Sequence, residues 1–299
     1  MKKILTLSTA LLFTAGAAFA QSNDATLSQD GDDNEATIEQ LGASNSAELN
    51  QGFNGQGQNG AFGEIIQEGE GNDASLNQRA WGSDGNDHSI EQLGLGNSGD
   101  VDIYNGDNSG YLLQEGMGNS ARMVQSGSGH ESLILQTGSE NYAQSSATGG
   151  SGNQTAIVQG IPSEFTGDMG MPGQVGLDDG PILVPIFGSQ ENAATLSVSG
   201  SNNMAGILQL GGGNTAGTNP GYAGDKGIDI SGDGNAAGIA QLGFENDATI
   251  SVMGNANVAG ILQFGFDNSG SIMQDGSGNS ALIVQDGGLG FNPGGGNPQ

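Results

Sequence analysis

Asn23-Asp-Ala-Thr-Leu-Ser-Gln29 is followed by Asn34-Glu-Ala-Thr-Ile-Glu-Gln40 and then by Asn45-Ser-Ala-Glu-Leu-Asn-Gln51, one unit every 11 residues. Within each unit Asn, Ala, an aliphatic residue and Gln take every second place, and mostly Asp, Glu, Ser and Thr stand between them. Alternation over seven residues is strand periodicity and excludes a helix. The other four residues, such as Leu41-Gly42-Ala43-Ser44, supply a glycine for a tight reversal. The chain therefore turns back once per unit, and two units close one rung of a coil.

The unit returns at Ala61, Asn72, Asn86, Asn97, Asn108, Asn119, His130, Asn141 and Asn153, and again at Asn192, Asn203, Gly224, Asn235, Asn246, Asn257, Asn268 and Asn279. About twenty copies predict an all-β solenoid of about ten two-strand rungs, built from 11-residue half-repeats with amyloid-like cross-β stacking. At about 4.8 Å per rung the rod is roughly 50 Å long. Inward amides must be hydrogen-bonded, and stacking lets each bond to its equivalent one rung away. The expected structural amide ladder comprises Asn34, Gln40, Asn86, Gln92, Asn108, Gln114, Gln136, Gln159, Asn203, Gln209, Asn235, Gln241, Asn257, Gln263, Asn279 and Gln285. The fifth position is aliphatic throughout except at Ser145, and the third is Ala or Gly nearly throughout.

Residues 1–20 read as a secretory signal peptide: Lys2 and Lys3, an apolar core from Ile4 to Phe13, and the small-x-small site Ala18-Phe19-Ala20. That core is too short to span a bilayer, so no membrane span is expected. A repeat block over 21–159 precedes a Pro/Gly-rich insertion loop at 160–190, which holds four of the seven prolines. A second repeat block fills 191–286, and a Gly/Pro-rich tail over 287–299 is expected to be disordered. Shorter insertions fall at 52–60, 79–85, with Trp81, and 215–223.

Residues 21–299 carry three basic side chains (Arg79, Arg122, Lys226) against 33 acidic ones, so 3 − 33 gives −30. Without a basic footprint, nucleic acid is excluded as a partner. There is no cysteine, so neither disulfides nor a thiolate metal site contributes.

Alternate units differ. One set has Gln at the seventh position in every copy, preceded from Leu113 onward by an apolar outward residue. The other often has Ile103, Ala147, Val198, Ile230 or Val252 in place of Gln. Leu113, Leu135, Val158, Leu208, Leu262 and Val284 thus form a candidate lateral-packing stripe on one outer face. Strand propensity by itself also places Leu and Val at such positions.

Gln29-Asp-Gly-Asp-Asp-Asn34-Glu-Ala36-Thr-Ile-Glu-Gln40, Gln114-Glu-Gly-Met-Gly-Asn119-Ser-Ala121-Arg-Met-Val-Gln125 and Gln274-Asp-Gly-Ser-Gly-Asn279-Ser-Ala281-Leu-Ile-Val-Gln285 resemble the curlin repeat of bacterial curli amyloid subunits. The resemblance implies a secreted, cell-surface structural subunit that polymerises with itself into extracellular fibres of a biofilm matrix. It also implies other curlin-like subunits and export or nucleation factors as partners. Typical members of that family have about half as many rungs and a non-repeat leader, whereas the array here begins at Asn23, directly after the expected cleavage.

No catalytic constellation is present, so an enzyme is not expected and no cofactor is called for. His130 stands in place of an Asn. His88, like Lys226, falls in the small third slot, and these substitutions are read as local distortions. Asp30-Gly-Asp-Asp33 is read as an acidic gatekeeper turn, with weak Ca²⁺ binding as the alternative. The competing functional class is a monomeric β-solenoid adhesin or binding module, with the 160–190 loop as its contact site. An ice-binding face is excluded by the mixed outward fourth position, Thr26, Thr37, Glu48, Ser75, Ser89, Asp100, Tyr111 and Arg122.

Overall fold

The structure, a computed structural model, describes residues 22–52, 59–79, 85–160, 190–217 and 227–287. The expected signal peptide, the bulk of the 160–190 loop, the tail, Trp81 and Lys226 lie outside the described residues. The described residues contain strands and turns and no helix.

One parallel sheet is built from β1 (Asp24–Gln29), β3 (Ser46–Gln51), β5 (Asp73–Arg79), β7 (Ser98–Tyr104), β9 (Ser120–Ser128), β11 (Tyr142–Ser151), β13 (Ala193–Ser199), β15 (Thr215–Ala216), β16 (Ile228–Ser231), β18 (Asp247–Met253) and β20 (Ser269–Asp275). The second holds β2 (Glu35–Ala43), β4 (Phe62–Glu70), β6 (Asp87–Leu95), β8 (Ser109–Met117), β10 (Glu131–Ser139), β12 (Gln154–Gln159), β14 (Met204–Gly212), β17 (Ala236–Phe244), β19 (Val258–Phe266) and β21 (Ser280–Asp286). Consecutive strands alternate between the sheets, as a reversal every 11 residues requires. Strands β15 and β16 share one level, since both pair with β13 and with β18. The stack therefore has ten two-strand rungs, the β-solenoid expected from the repeat.

Equivalent positions face one another between rungs. Leu112 pairs with Ile134, Gln114 with Gln136 and Gly116 with Gly138. The aliphatic column runs between the sheets and is sealed in the interior, with Leu49, Ile65, Leu76, Ile90, Leu112 and Ile134 each 0% exposed. Each such side chain stabilises the rod by about 1.5–3 kcal/mol through burial. Strand β12 pairs in register with β14, and β11 with β13, so the rungs on either side of residues 161–189 stack directly.

Register places one unit differently from the expectation. Asn214, not Gly224, heads the eighth rung: its backbone N–H donates to Asn192 Oδ1 (2.9 Å), and its own Oδ1 accepts from the N–H of Asn246 (3.3 Å). Ala216 takes the small slot that the alignment gave to Lys226, and Ile228 takes the next inward place in the same column set. An alignment that keeps each 11-residue unit whole puts the insertion at 215–223, before a new unit head, and does not place it between Ala216 and Ile228 of one unit.

Candidate functional site

Each Asn clamps a corner where a turn enters a strand. Asn119 accepts the backbone N–H of Asn141 on Oδ1 (3.1 Å). Its Nδ2 donates to the carbonyl of Glu115, four residues back, and to that of Gly138 one rung on (3.3 and 3.2 Å). A short side chain carrying both a donor and an acceptor is needed to satisfy three backbone groups at a turn, and Asn supplies it. The Oδ1-to-N–H link runs Asn86–Asn108 in the second sheet and Asn203–Asn235–Asn257–Asn279 further along it. Asn34 accepts from the N–H of Ala61, which itself has no side-chain amide to pass the column on.

The glycine that follows each Gln by two residues is equally constrained. Gly116 has φ +117°, and a Cβ there would lie 2.0 Å from the carbonyl oxygen of Gly138. That carbonyl is the one Asn119 holds, so glycine and asparagine fix the same corner.

The second sheet carries an unbroken glutamine column. Gln40 Nε2 donates to Gln67 Oε1, Gln67 to Gln92, Gln92 to Gln114, Gln114 to Gln136, Gln136 to Gln159, Gln159 to Gln209, Gln209 to Gln241, Gln241 to Gln263 and Gln263 to Gln285, at 2.8–3.0 Å. Every amide points the same way along the rod. The second N–H of each reaches across to the opposite sheet in its own rung, as Gln114 does to the Ser98 carbonyl (2.9 Å). The column therefore bonds rung to rung and sheet to sheet, and its interior members are 0% exposed.

Both histidines take part in these columns, which corrects the reading of His88 as a local distortion. His130 Nδ1 accepts the N–H of Asn153 (3.2 Å), and its Nε2 faces the Ser126 carbonyl four residues back (3.3 Å). These are two of the three backbone contacts an Asn makes at such a corner. Burial lowers its pKa, opposed by the bond to Ser126. His88 is 1% exposed and spans the place where Ile103 interrupts the glutamines of the first sheet. Gln29 donates to Gln51 and Gln51 to Gln78, then Gln78 Nε2 meets His88 Nδ1 (3.3 Å) and His88 Nε2 meets Gln125 Oε1 (2.6 Å). Gln125 Nε2 continues to Ser132 Oγ (2.9 Å), Thr155 donates to Ser132 (2.9 Å), and Ser145 joins Thr155 (2.8 Å). Sequence reasoning missed this chain. Its signal was four misfits within four rungs: His88, Ser132 and Thr155 in small slots, and Ser145 in the aliphatic column.

The candidate outer stripe is unevenly accessible. Leu135, Val158 and Leu113 are 0, 1 and 9% exposed and form a cluster with Leu93, Tyr111, Leu133 and Leu208. Leu208 and Leu262 are half-buried, and Val284 is open. Arg79 and Arg122 both lie on the first sheet's outer face beside Asp102 (3.9 and 3.3 Å). Among the described residues, no group of three or more His, Cys, Asp or Glu side chains is placed to hold a metal ion, and no helix is long and apolar enough to cross a membrane.

Residues 20–52, 116–144 and 266–288 match the family model of the curlin associated repeat. No curated protein matches the chain. The matched segments lie near the start, in the middle and near the end of one stack whose columns run through all three. Over these three segments the chain is similar to the curlin associated repeat.

Proposed function

We propose that this chain is a secreted structural subunit that joins end to end with copies of itself into curli-like cross-β fibres of an extracellular matrix, serving attachment and adhesion at the cell surface. One observation carries the reading: the core columns that are sealed inside the rod are open at its terminal rungs. Leu27 is 40% exposed, whereas Leu49, its neighbour in the same column, is 0% exposed. At the other end Ala281, Ile283 and Gln285 are half-buried, whereas Ala259, Ile261 and Gln263, their neighbours in the same columns, are 4, 2 and 0% exposed. The terminal rungs carry the same residue columns as interior rungs: Ala25, Leu27 and Gln29 at one end, Gly270, Ile272 and Gln274 at the other. A second copy therefore continues each column, and parallel strand edges pair without a change of register.

The amide direction supports head-to-tail joining. Gln285 ends the column with its donor side outward, and Gln40 begins it with its acceptor side outward. Such a contact is heterologous and does not close on itself, so it generates filaments. Other curlin-like subunits and nucleation factors fit the same end faces. The family and the internal columns support a structural role rather than an enzymatic one. Size-exclusion chromatography and electron microscopy of residues 21–299 test the proposal: unbranched filaments growing from a monomeric pool are expected. Persistence of the monomer at high concentration would favour the surface adhesin instead.

A further inference from the structure

His88 sits where nine of the ten rungs of its sheet place Ala, Gly, Ser or Thr. Room for the ring comes from Gly63 and Gly110, its partners on the flanking strands. A Cβ at Gly110 would lie 2.7 Å from His88 Cδ2. The ring is thus built into the core, and it reaches from Gln78 on the third rung to Gln125 on the fifth, past Ile103 on the fourth.

The surrounding bonds define its proton. Gln125 Nε2 donates to the Ser109 carbonyl and to Ser132 Oγ, so its Oε1 faces His88 and accepts from Nε2–H. Gln78 Nε2 donates to the Phe62 carbonyl and towards Nδ1, while its Oε1 accepts from Gln51. A second proton on Nδ1 would oppose the Gln78 amide. Flipping Gln78 would then break its bonds to Phe62 and Gln51, so relief at one residue disrupts the column below it. At His130 the opposing group is the backbone N–H of Asn153, which has no flip available.

We propose that His88 and His130 make rungs three to six an acid-labile segment, so that the rod opens in its middle while the flanking rungs stay closed. Among the described residues, no carboxylate, lysine or arginine makes a hydrogen bond or ion pair with either ring. His88 meets Gln78 and Gln125 from the opposite sheet and the two glycines from its own, and the His130 ring meets Ser126 and Asn153 while its backbone N–H donates to Asn108 Oδ1. Asp87, Glu91 and Glu131 point out of the core on the same strands. Burial holds His88 down at about 4, against an ordinary value of 6.5, with the bond to Gln125 pulling weakly the other way. That interval corresponds to a loss of roughly 300-fold in local closing equilibrium once the ring is protonated.

The test is hydrogen exchange by mass spectrometry on the full chain at pH 7 and pH 3.5, with protection taken relative to the intrinsic exchange rate at each pH. Peptides from β5 to β12 are expected to lose protection about a hundredfold more than peptides from β17 to β21, which contain no histidine and report the general effect of carboxylate protonation. Two variants rebuild the repeat consensus: His130→Asn restores the corner clamp, and His88→Ala combined with Ile103→Gln restores a continuous glutamine column. Together they are expected to fold at pH 7 and to abolish the excess acid loss in the middle rungs. Uniform loss along the wild-type rod, or the same excess loss in the combined variant, overturns the proposal. Should the combined variant fold poorly, NMR titration of the two rings in the wild type decides. Titration near 6.5 with no change in the middle rungs overturns it as well.

Discussion

Replacing Gln136 by Ala isolates the contribution of the amide column. Gln136 accepts from Gln114 (2.9 Å) and donates to Gln159 (2.9 Å) and to the Ser120 carbonyl (3.0 Å), with no part of the side chain exposed. Truncation leaves a donor on Gln114 and an acceptor on Gln159 buried without partners. Each costs about 1–3 kcal/mol, and the space left behind adds to this. The expected loss is about 3–6 kcal/mol for opening the fifth and sixth rungs, or roughly a hundredfold to ten-thousandfold in exchange protection. Gln285→Ala removes the same side chain from a terminal rung, where water can replace its bonds to Gln263 and Ser269. There the cost is expected below about 1 kcal/mol. Gln136→Leu is the decisive companion: it adds apolar surface yet leaves the same partners unmatched, so it too should be costly. Global denaturation is a poor readout, since long repeat arrays need not unfold in one step. Hydrogen exchange on peptides from β9 to β12 reads the effect locally. If Gln136→Leu protects those peptides as well as wild type does, the core is held by burial and not by its amides.

Three further outcomes follow from the geometry. Gly116→Ala should cost more than about 2 kcal/mol, because both the positive φ and the contact with the Gly138 carbonyl oppose a side chain; local exchange at β8 and β10 checks it. Leu135→Ser should destabilise by about 2–3 kcal/mol, since the side chain points outward yet is fully buried, whereas Val284→Ser on the same stripe should change stability by under about 0.5 kcal/mol. Neutral His88 sets a pH window. Its folded pKa lies below the ordinary value, so the unfolded chain binds more protons between them, and stability is full above pH 6.5 and falls towards about 4. The part due to this ring is about 3 kcal/mol, and an unfolding series over that pH range should show it in wild type and not in the His88→Ala/Ile103→Gln variant.

The fold was legible because one 11-residue period fixes which side chains share a face. Once Ala, Ile and Gln alternate on one side of seven residues, rungs, core and turns follow. Glutamine stacking was legible for the same reason, since an inward amide has few partners other than its own copy. The asparagines were read only by half. A long side chain can reach the next rung's side chain, but Asn is short and at a corner, so it bonds mainly to backbone, and residue type alone does not convey that. His88 was misread because its role depends on what lies across the core: the small slot of one sheet faces the glutamine slot of the other. The gap at Ile103 and the filler at His88 are fifteen residues apart in the chain and belong to opposite sheets. The insertion at 215–223 was placed ahead of a unit headed by Gly224, because keeping each unit whole does not allow Thr215–Ala216 and Ile228–Ser231 to share one level. The outer stripe was identified as apolar, but the burial of Leu135 and Val158 depends on three-dimensional surroundings that alternation does not encode.

The central claim is that the columns inside one subunit continue between subunits. Fibre diffraction from aligned filaments of residues 21–299 tests it most directly. A meridional reflection at about 4.7–4.8 Å with an equatorial one near about 10 Å is expected, because subunit joints would repeat the internal rung spacing. Loss of assembly is expected when a charge is placed at Leu27 or Ile272. Filaments without that meridional spacing, or filaments that form undiminished with Leu27→Asp, would contradict the account.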